Sequence, residues 1–182
     1  MQPRHLIQHC RACGTPVVNR VPDDGDTRER AVCPACGTIH YVNPLLVVGT
    51  VPYLGDRVLL CQRGIEPRHG KWTLPAGFME MGETLAQGAL RETAEEAGAT
   101  IALGPLFATM SVPRVGQVHV FYLARMQDEH SAGFGHETLQ TRLFTEAEVP
   151  WDEIAFTTVR ETLRHFFADL HRGQWGFHDE DI

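Results

Sequence analysis

Two pairs of cysteines constrain the beginning of this chain more strongly than any other feature. Cys10 and Cys13 form one C-x-x-C pair, Cys33 and Cys36 form a second, and a glycine follows each pair. Four thiolates with this spacing can close a tetrahedron around Zn²⁺, and each glycine frees the backbone to turn its amides toward the sulfurs. A segment of about forty residues cannot build a large core, so we expect a bound metal to stabilise its fold. The alternative is four coincidental or redox cysteines, which this spacing disfavours.

The cysteines therefore predict a zinc ribbon over residues 1–42, followed by a second domain over residues 43–182. Four thiolate ligands leave no open coordination position, which indicates a structural rather than a catalytic zinc. A fifth cysteine, Cys61, lies in the strand-like run 57–63. We interpret Cys61 as a buried free thiol, and a nucleophile is the alternative.

The composition is typical of an ordered globular protein. The 182 residues carry 16 Lys and Arg against 23 Asp and Glu, a formal net charge of −7, and 43% are hydrophobic. This balance excludes a disordered chain and disfavours broad electrostatic binding of nucleic acid. No apolar run approaches the roughly 20 residues of a membrane-spanning helix, and residues 1–7 contain no signal-peptide core. We expect a cytoplasmic protein that binds neither nucleic acid nor membrane.

The longer segment predicts a mixture of strands and helices. The strand-like runs are 45–51, 58–63, 106–112, 118–126 and 139–144. One helix is predicted over Thr84–Ala97, with Thr84 as its N-cap and Gly98 as its stop, and an amphipathic helix over Thr157–Arg172. The tail 173–182 is expected to be mobile. Strands surrounding a few helices predict an α/β core.

Three carboxylates share one face of the first predicted helix. At about 100° per residue, Glu92, Glu95 and Glu96 fall in one sector, where like charges repel, and Arg91 can offset only Glu95. A divalent cation would remove this repulsion, and Mg²⁺ or Mn²⁺ prefers such hard oxygen ligands. A solvated acidic face is the alternative. The Pro- and Gly-containing loop 72–77 before the helix favours the metal, because its bent backbone can turn carbonyl groups toward an ion.

Neighbouring residues suit a ligand that carries phosphate. Gly88, on the same helix face, is expected to leave space for it. The candidate phosphate-binding residues are Arg63, Lys71 and Arg114. The aromatic residues that could stack on a ring are Phe78, Phe121, Tyr122 and Phe134, although aromatics at strand spacing more often belong to a core. His69 and His119 are interpreted as polar surface residues.

The segment from Gly77 to Ala99 resembles the Nudix box, Gly-x5-Glu-x7-Arg-Glu-U-x-Glu-Glu-x-Gly-U, in which U is a bulky apolar residue. Every fixed position is matched, by Gly77, Glu83, Arg91, Glu92, Glu95, Glu96 and Gly98. The departures, Thr93 and Ala99, are small residues at the U positions and concern packing more than chemistry. The resemblance implies a Nudix α/β/α sandwich with a mixed sheet after the ribbon. It also implies metal-dependent hydrolysis of a nucleoside diphosphate linked to another group.

The resemblance also implies roles for individual residues. Glu92, Glu95 and Glu96 would bind the catalytic Mg²⁺ or Mn²⁺, assisted by the carbonyl of Ala76. The structural residues of the box would be Gly77, Glu83, Arg91 and Gly98. Glu137, outside the box, is the candidate general base or further ligand, and a surface-loop glutamate is the alternative.

Segments outside the box resemble one zinc-ribbon subgroup of the family. These segments are 41–44, 69–77, 112–117 and 137–144. The subgroup includes a plant chloroplast pyrophosphatase, which implies cleavage of FAD to FMN and AMP, or of ADP-ribose. NADH or a nucleoside triphosphate is the alternative substrate, although the Ser-Gln-Pro-Trp signature of the NADH enzymes is absent. The family also implies a homodimer. A non-catalytic nucleotide sensor is the remaining hypothesis, and the intact box disfavours it.

Overall fold

A computed structural model describes residues 7–131 and 133–182. The chain separates into two compact units. The first comprises the residues up to Pro44 together with Arg114–Gly116, and the second comprises Leu45–Pro113 and Gln117–Ile182.

The first unit contains a small antiparallel sheet that the sequence did not predict. Strand β1 (Val18–Arg20) pairs with β2 (Arg30–Val32), and β2 pairs with β3 (Ile39–His40). Sheets of two- and three-residue strands are marginal on their own. The cysteines Cys10 and Cys33, 2% and 1% exposed, are part of the small interior that accompanies this sheet.

The second unit is built on a mixed sheet. Its strands are β4 (Leu45–Leu54), β5 (Arg57–Arg63), β6 (Trp72–Thr73), β7 (Ala76–Phe78), β8 (Ala99–Val112), β9 (Gln117–Ser131), β10 (Thr138–Phe144) and β11 (His178–Asp181). The main order is β10-β5-β4-β9-β8-β11, with β6 beside β5 and β7 beside β4. The β4–β9 and β8–β11 pairs are parallel, whereas the other described pairs in this sheet are antiparallel. The predicted mixed sheet is confirmed.

Helix α1 (Leu85–Ala97) begins and ends at the predicted residues. The Thr84 hydroxyl accepts from the Gln87 backbone N–H, and the Gln87 side chain accepts from the Thr84 N–H, which forms a capping box. Gly98 ends the helix in the left-handed conformation, φ 59°, and donates its N–H to the Ala94 carbonyl.

Helix α2 (Thr157–Arg172) also has its predicted bounds. It follows two short 3-10 helices, Glu146–Glu148 and Trp151–Glu153, and stops at the left-handed Gly173. The buried residues of its apolar stripe are Val159, Leu163, Phe166 and Phe167. No helix among the described residues combines the length and the apolar character that crossing a bilayer requires.

The two helices cover opposite faces of the sheet. The Thr50 hydroxyl of β4 lies 2.7 Å from the Thr93 hydroxyl of α1. The next residue, Val51, packs in the main core cluster with Leu163 of α2. Because successive side chains of a strand point to opposite faces, the helices enclose the sheet between them. This arrangement confirms the predicted α/β/α sandwich.

The tail predicted to be mobile is part of the sheet. Strand β11 lies parallel to Ala108–Ser111 of β8, and Trp175 stacks on Phe166 with ring centroids 5.4 Å apart. The His178 ring lies 2.9 Å from the buried Asp169 carboxylate. The prediction was wrong because backbone pairing with β8 and these contacts, rather than an apolar pattern, hold the segment.

Candidate active site

A cavity of about 910 Å³ lies in the second unit. One group of its lining residues, here named the acidic wall, consists of Glu92, Glu95, Glu96 and Glu137. A second group, named the uncharged wall, consists of Val47, Phe78, Gln117, His119 and Phe156. The cavity is large enough for a small-molecule ligand with both a charged and an uncharged part.

Two carboxylates of the acidic wall are withdrawn from solvent. Glu92 is only 8% exposed, and Glu96 accepts a hydrogen bond of 2.9 Å from the Ala76 backbone N–H. Burial raises the pKa of Glu96 to about 7, against the opposing effect of the Ala76 hydrogen bond, and burial also raises the pKa of Glu92. The charge of Glu137 raises both pKa values further. For Glu96, whose pKa lies near neutral pH, an approaching positive charge would favour the ionised form.

Arg91 offsets the negative charge of the carboxylates around it. Its guanidinium contacts Glu83 at 2.8 Å, Glu92 at 2.6 Å and Glu95 at 3.2 Å, and it donates to the Phe78 carbonyl. Arg91 lowers the pKa of Glu83. Helix spacing predicted that Arg91 offsets only Glu95 within the carboxylate cluster, and it did not show that Arg91 also reaches Glu92. The pairing of Arg91 with its structural partner in the box, Glu83, agrees with the resemblance.

Two glycines make room for these carboxylates. A Cβ atom at Gly77 would lie 2.4 Å from the Glu92 carboxylate. A Cβ atom at Gly88 would lie 2.7 Å from both the Glu83 carboxylate and a methyl group of Val48. The expectation that Gly88 leaves space for a ligand was therefore wrong, since its missing side chain accommodates Glu83 and the sheet.

The two residues that depart from the box, Thr93 and Ala99, are both buried. Thr93 is fully buried, and its hydroxyl donates to the Ala89 carbonyl and lies 2.7 Å from the Thr50 hydroxyl. Ala99 is 8% exposed at the start of β8. Leu90 of the same helix is 40% exposed. The helix therefore buries Glu92 and Thr93, and leaves an apolar residue in solvent.

The donor chemistry of the acidic wall fits a hard divalent cation. Its carboxylate oxygens are the ligands that Mg²⁺ and Mn²⁺ prefer, usually completed by water and substrate phosphate. The Glu92 and Glu95 side chains pair with Arg91, and the Glu96 side chain accepts from the Ala76 N–H. The Ala76 carbonyl ligand remains a prediction.

The four predicted cysteines converge in the first unit. Their sulfur atoms all lie within 4.8 Å of one another, and no other group of three or more such ligand residues does so among residues 7–131 and 133–182. The separations Cys13–Cys33, Cys13–Cys36 and Cys10–Cys36 are 3.4, 3.5 and 3.7 Å. Four sulfurs at about 2.3 Å from a tetrahedral zinc would lie about 3.8 Å apart, so this site fits Zn²⁺.

The fifth cysteine is inaccessible. Cys61 is 1% exposed on β5, and burial raises the pKa of its thiol. The interpretation as a buried free thiol is confirmed.

The predicted phosphate-binding residues do not lie together. Arg63 lines the cavity, where its charge partly offsets the raised pKa of Glu96 and its guanidinium lies 5.1 Å from the Phe156 ring centre. Lys71 does not line this cavity and pairs with Glu153 at 2.6 Å. Arg114 belongs to the first compact unit. Arg63 is therefore the member of this group that the structure brings to the acidic wall.

Among the predicted aromatic residues, Phe78 lines the cavity and is 54% exposed. Phe121 is fully buried in the core, and Tyr122 and Phe134 lie outside the lining of this cavity.

Of the two histidines interpreted as surface residues, His69 lies outside the lining of this cavity. His119 is a lining residue, and burial lowers its pKa to about 4.

Sequence reasoning missed Gln117 and Phe156 as cavity residues. Strand β9 places Gln117 beside β4, and Phe156 precedes α2. Phe156 stands in no local motif. Gln117 ends the segment 112–117 that resembles the zinc-ribbon subgroup, but that resemblance assigned it no role, and the nearby His119 shares one strand face with it.

Comparison with known proteins agrees with this architecture. The NUDIX domain family model matches residues 44–170, and the Nudix N-terminal zinc ribbon model matches residues 8–42. The chain belongs to the Nudix hydrolase family, with the ribbon preceding the hydrolase domain.

Individual relatives match different shares of the chain. The chain is similar to a NUDIX hydrolase from Nitrosomonas europaea of known crystal structure, with 46% identity, a TM-score of 0.91, and coverage of 97% of this chain and 99% of that chain. It is 30% identical to the NAD-capped RNA hydrolase NudC of Deinococcus radiodurans over 90% of this chain, and spans only 58% of that relative. An ADP-ribose pyrophosphatase of Methanocaldococcus jannaschii is 33% identical over 40% of this chain and 43% of its own length.

Proposed function

We propose that the second unit hydrolyses the diphosphate bond of a nucleoside diphosphate linked to another group, with Mg²⁺ or Mn²⁺. The observation that carries this proposal is the pair of buried carboxylates, Glu92 and Glu96, held at one cavity beside Glu95 and Glu137. Withdrawing Glu92 and Glu96 from solvent beside two further carboxylates is unfavourable, which supports a site built to receive positive charge.

We propose FAD, which would give FMN and AMP, and ADP-ribose as the substrates. The segments outside the box support FAD, and the similarity to an ADP-ribose pyrophosphatase supports ADP-ribose. The similarity to an NAD-capped RNA hydrolase supports NADH as a third candidate. All three compounds join AMP through a diphosphate to a second group, so one cleavage reaction describes them.

The proposed metal ligands are Glu92, Glu95 and Glu96, with Ala76 as a further ligand. When bound, Mg²⁺ would neutralise the diphosphate oxygens and make a water molecule more acidic. Arg91 keeps Glu92 and Glu95 oriented toward the cavity, and Arg63 supplies positive charge for a substrate phosphate.

Glu137 is the proposed general base. It lines the cavity, and its backbone is fixed because the Gly64 N–H donates to the Glu137 carbonyl at 2.7 Å. The neighbouring Gly135 N–H donates to the Glu95 carbonyl at 2.8 Å, which ties this loop to α1. Glu137 would take a proton from water as the water oxygen bonds to phosphorus. The bridging P–O bond would then break to release two phosphomonoesters.

We also propose that Zn²⁺ binds Cys10, Cys13, Cys33 and Cys36. The four sulfurs fill the coordination sphere of such an ion, so zinc here would stabilise the ribbon and leave no position for a substrate.

The decisive experiment is incubation of the purified full chain with Mg²⁺ and FAD, ADP-ribose, NADH or a nucleoside triphosphate. Products would be identified by mass. Release of AMP together with FMN or ribose 5-phosphate supports the proposal, and Glu96→Gln should abolish it. Glu129→Gln, outside the cavity, is the matched control and should retain activity. Tight binding of one compound without cleavage would instead support a nucleotide sensor.

A further inference from the structure

We propose that Thr158, His119 and Gln117 form a hydrogen-bonded relay that positions the Gln117 carboxamide to bind an uncharged heteroaromatic ring of the substrate. The proposal deepens the function proposed above, because it assigns a ring-binding role to the uncharged wall. In this relay Gln117 touches the ligand, whereas His119 and Thr158 are positioning residues.

The direction of the hydrogen bonds follows from the contacts. The Gln117 side-chain oxygen lies 3.0 Å from His119 Nε2, and an amide oxygen can only accept, so Nε2 carries the proton. A neutral imidazole then has an accepting Nδ1, which lies 3.2 Å from the Thr158 hydroxyl. Thr158 therefore donates to His119, and His119 donates to Gln117.

Because the Gln117 side-chain oxygen accepts from His119, the two N–H groups of its amide nitrogen can donate to a ligand. Thr158 is 3% exposed, so the relay starts from a buried group and ends at a cavity-lining one. These N–H groups can donate to the ring nitrogens or ring carbonyl oxygens of a heteroaromatic base. Sugar hydroxyl groups can accept as well, so the choice of a ring rests on the apolar surface beside the relay.

Strand register places an apolar surface beside the relay. Val47 of β4 is directly paired with Phe78 of β7 on one side and with His119 of β9 on the other. Directly paired residues point to the same face of a sheet, so these three side chains form one row across the cavity. Phe78 offers an exposed aromatic ring within that row, which suits contact with a flat ligand.

The charge of the relay also favours a ring over a phosphate. Burial holds the pKa of His119 near 4, so the imidazole stays neutral at physiological pH and supplies no positive charge. Gln117 and Thr158 are uncharged as well. A phosphate oxygen could accept from the Gln117 N–H₂ but would meet no positive charge at this wall, whereas Arg63 and a cation at the acidic wall would attract it.

The test compares ligands that differ by a ring. Binding of AMP, FMN and the ring-free ribose 5-phosphate to the full chain would be measured by calorimetry with Mg²⁺ present. Gln117→Glu keeps the oxygen that accepts from His119 but removes the N–H donors. Thr158→Val removes the first donor at nearly unchanged size, and Thr158→Ser restores the hydroxyl. Gln140→Glu, whose side chain contacts Gln62 outside the cavity, introduces the same charge as a control.

The parent is expected to bind AMP or FMN at least tenfold more tightly than ribose 5-phosphate. Gln117→Glu and Thr158→Val should reduce this preference at least fivefold, while Thr158→Ser and Gln140→Glu should retain it. For a substrate that is cleaved, KM should rise in Thr158→Val with little change in kcat or melting temperature. A structural role alone would lower the melting temperature without changing the ring preference.

An absence of ring preference in the parent, or a preference that survives both Gln117→Glu and Thr158→Val, would overturn the relay. The binding measurement needs no turnover. A chain that prefers rings through the relay but cleaves nothing would therefore refute the proposed hydrolysis and leave the relay in place.

Discussion

The two units of this chain achieve order in different ways. The first has strands of two and three residues and four sulfurs within 4.8 Å. The second has a continuous core between sheet and helix, with Leu60, Phe107 and Phe166 fully buried. We propose that the first unit depends on a metal bound by its four cysteines, whereas the second depends on burial of apolar surface. The effect of a substitution on stability should therefore depend on whether its unit is stabilised by a metal or by an apolar core.

The largest expected effect is the loss of the metal from the first unit. Cys33→Ser removes one of four ligands, and structural zinc sites contribute about 10–16 kcal/mol of apparent binding free energy. We expect zinc content to fall and amide exchange over residues 7–44 to accelerate. Cys61→Ala, which changes the cysteine outside the cluster, should retain zinc. Unchanged metal content in Cys33→Ser by elemental analysis would refute the ribbon.

The second effect concerns the apolar core of the other unit. Phe166→Ala should lower the free energy of unfolding by about 3–5 kcal/mol, because it removes a large buried side chain and leaves a cavity. Zinc content should not change. Phe177→Ala, at a position 57% exposed, is the matched control and should change stability by about 0.5 kcal/mol or less. Urea unfolding measures both variants, and equal losses would show that Phe166 does not belong to the core.

A third variant separates function from stability within the second unit. Glu96→Gln should lower the proposed hydrolysis on the order of a hundredfold or more, because an amide replaces a carboxylate ligand at nearly unchanged size. The melting temperature should be maintained. Steady-state rates measured beside Glu129→Gln test this expectation, and full turnover by Glu96→Gln would remove the acidic wall from the mechanism.

The smallest effect is a pH dependence of stability. Burial raises the pKa of Glu96 from 4.5 to about 7, so the folded state binds more protons than the unfolded state between these values. The contribution of this group is therefore most favourable below pH 4.5 and is lost as the pH rises through 7. From pH 6 to pH 8 the parent should lose about 1 kcal/mol relative to Glu96→Gln.

The measurement is denaturant unfolding at both pH values without added Mg²⁺ or Mn²⁺. A chelator must be left out, because it would also strip the ribbon. Parallel stability curves for the parent and Glu96→Gln would show that Glu96 is not held in its neutral form.

Local signals predicted the helices of this fold well. The Thr84 capping box, Gly98 and the apolar stripe of α2 each depend on neighbours within a few residues, and both helices have their predicted bounds. The zinc ribbon was equally local, because each C-x-x-C pair is a short motif.

Features that depend on pairing between distant segments could not be predicted from the sequence. Strand β8 begins at Ala99 rather than at Leu106, where the predicted run starts, and its register shifts between Leu103 and Leu106. Strand β11 is mostly acidic, so its residues carry no strand pattern, and it is a strand because its backbone pairs with β8. Gln117 and Phe156 meet at the cavity only because distant segments are neighbours in the fold, so no short window could predict their association.

The elements that build the cavity differ in how they can change over generations. Three residues of the acidic wall lie within five consecutive positions of one helix, so a single continuous stretch can be inherited or transplanted as a block. The row Phe78, Val47 and His119 draws one residue from each of three strands. A substitution at one of these positions leaves the sequence of the block unchanged, although His119 is also tied to Gln117 and Thr158. Selection on ligand preference can therefore proceed in single steps without disturbing the inherited chemistry.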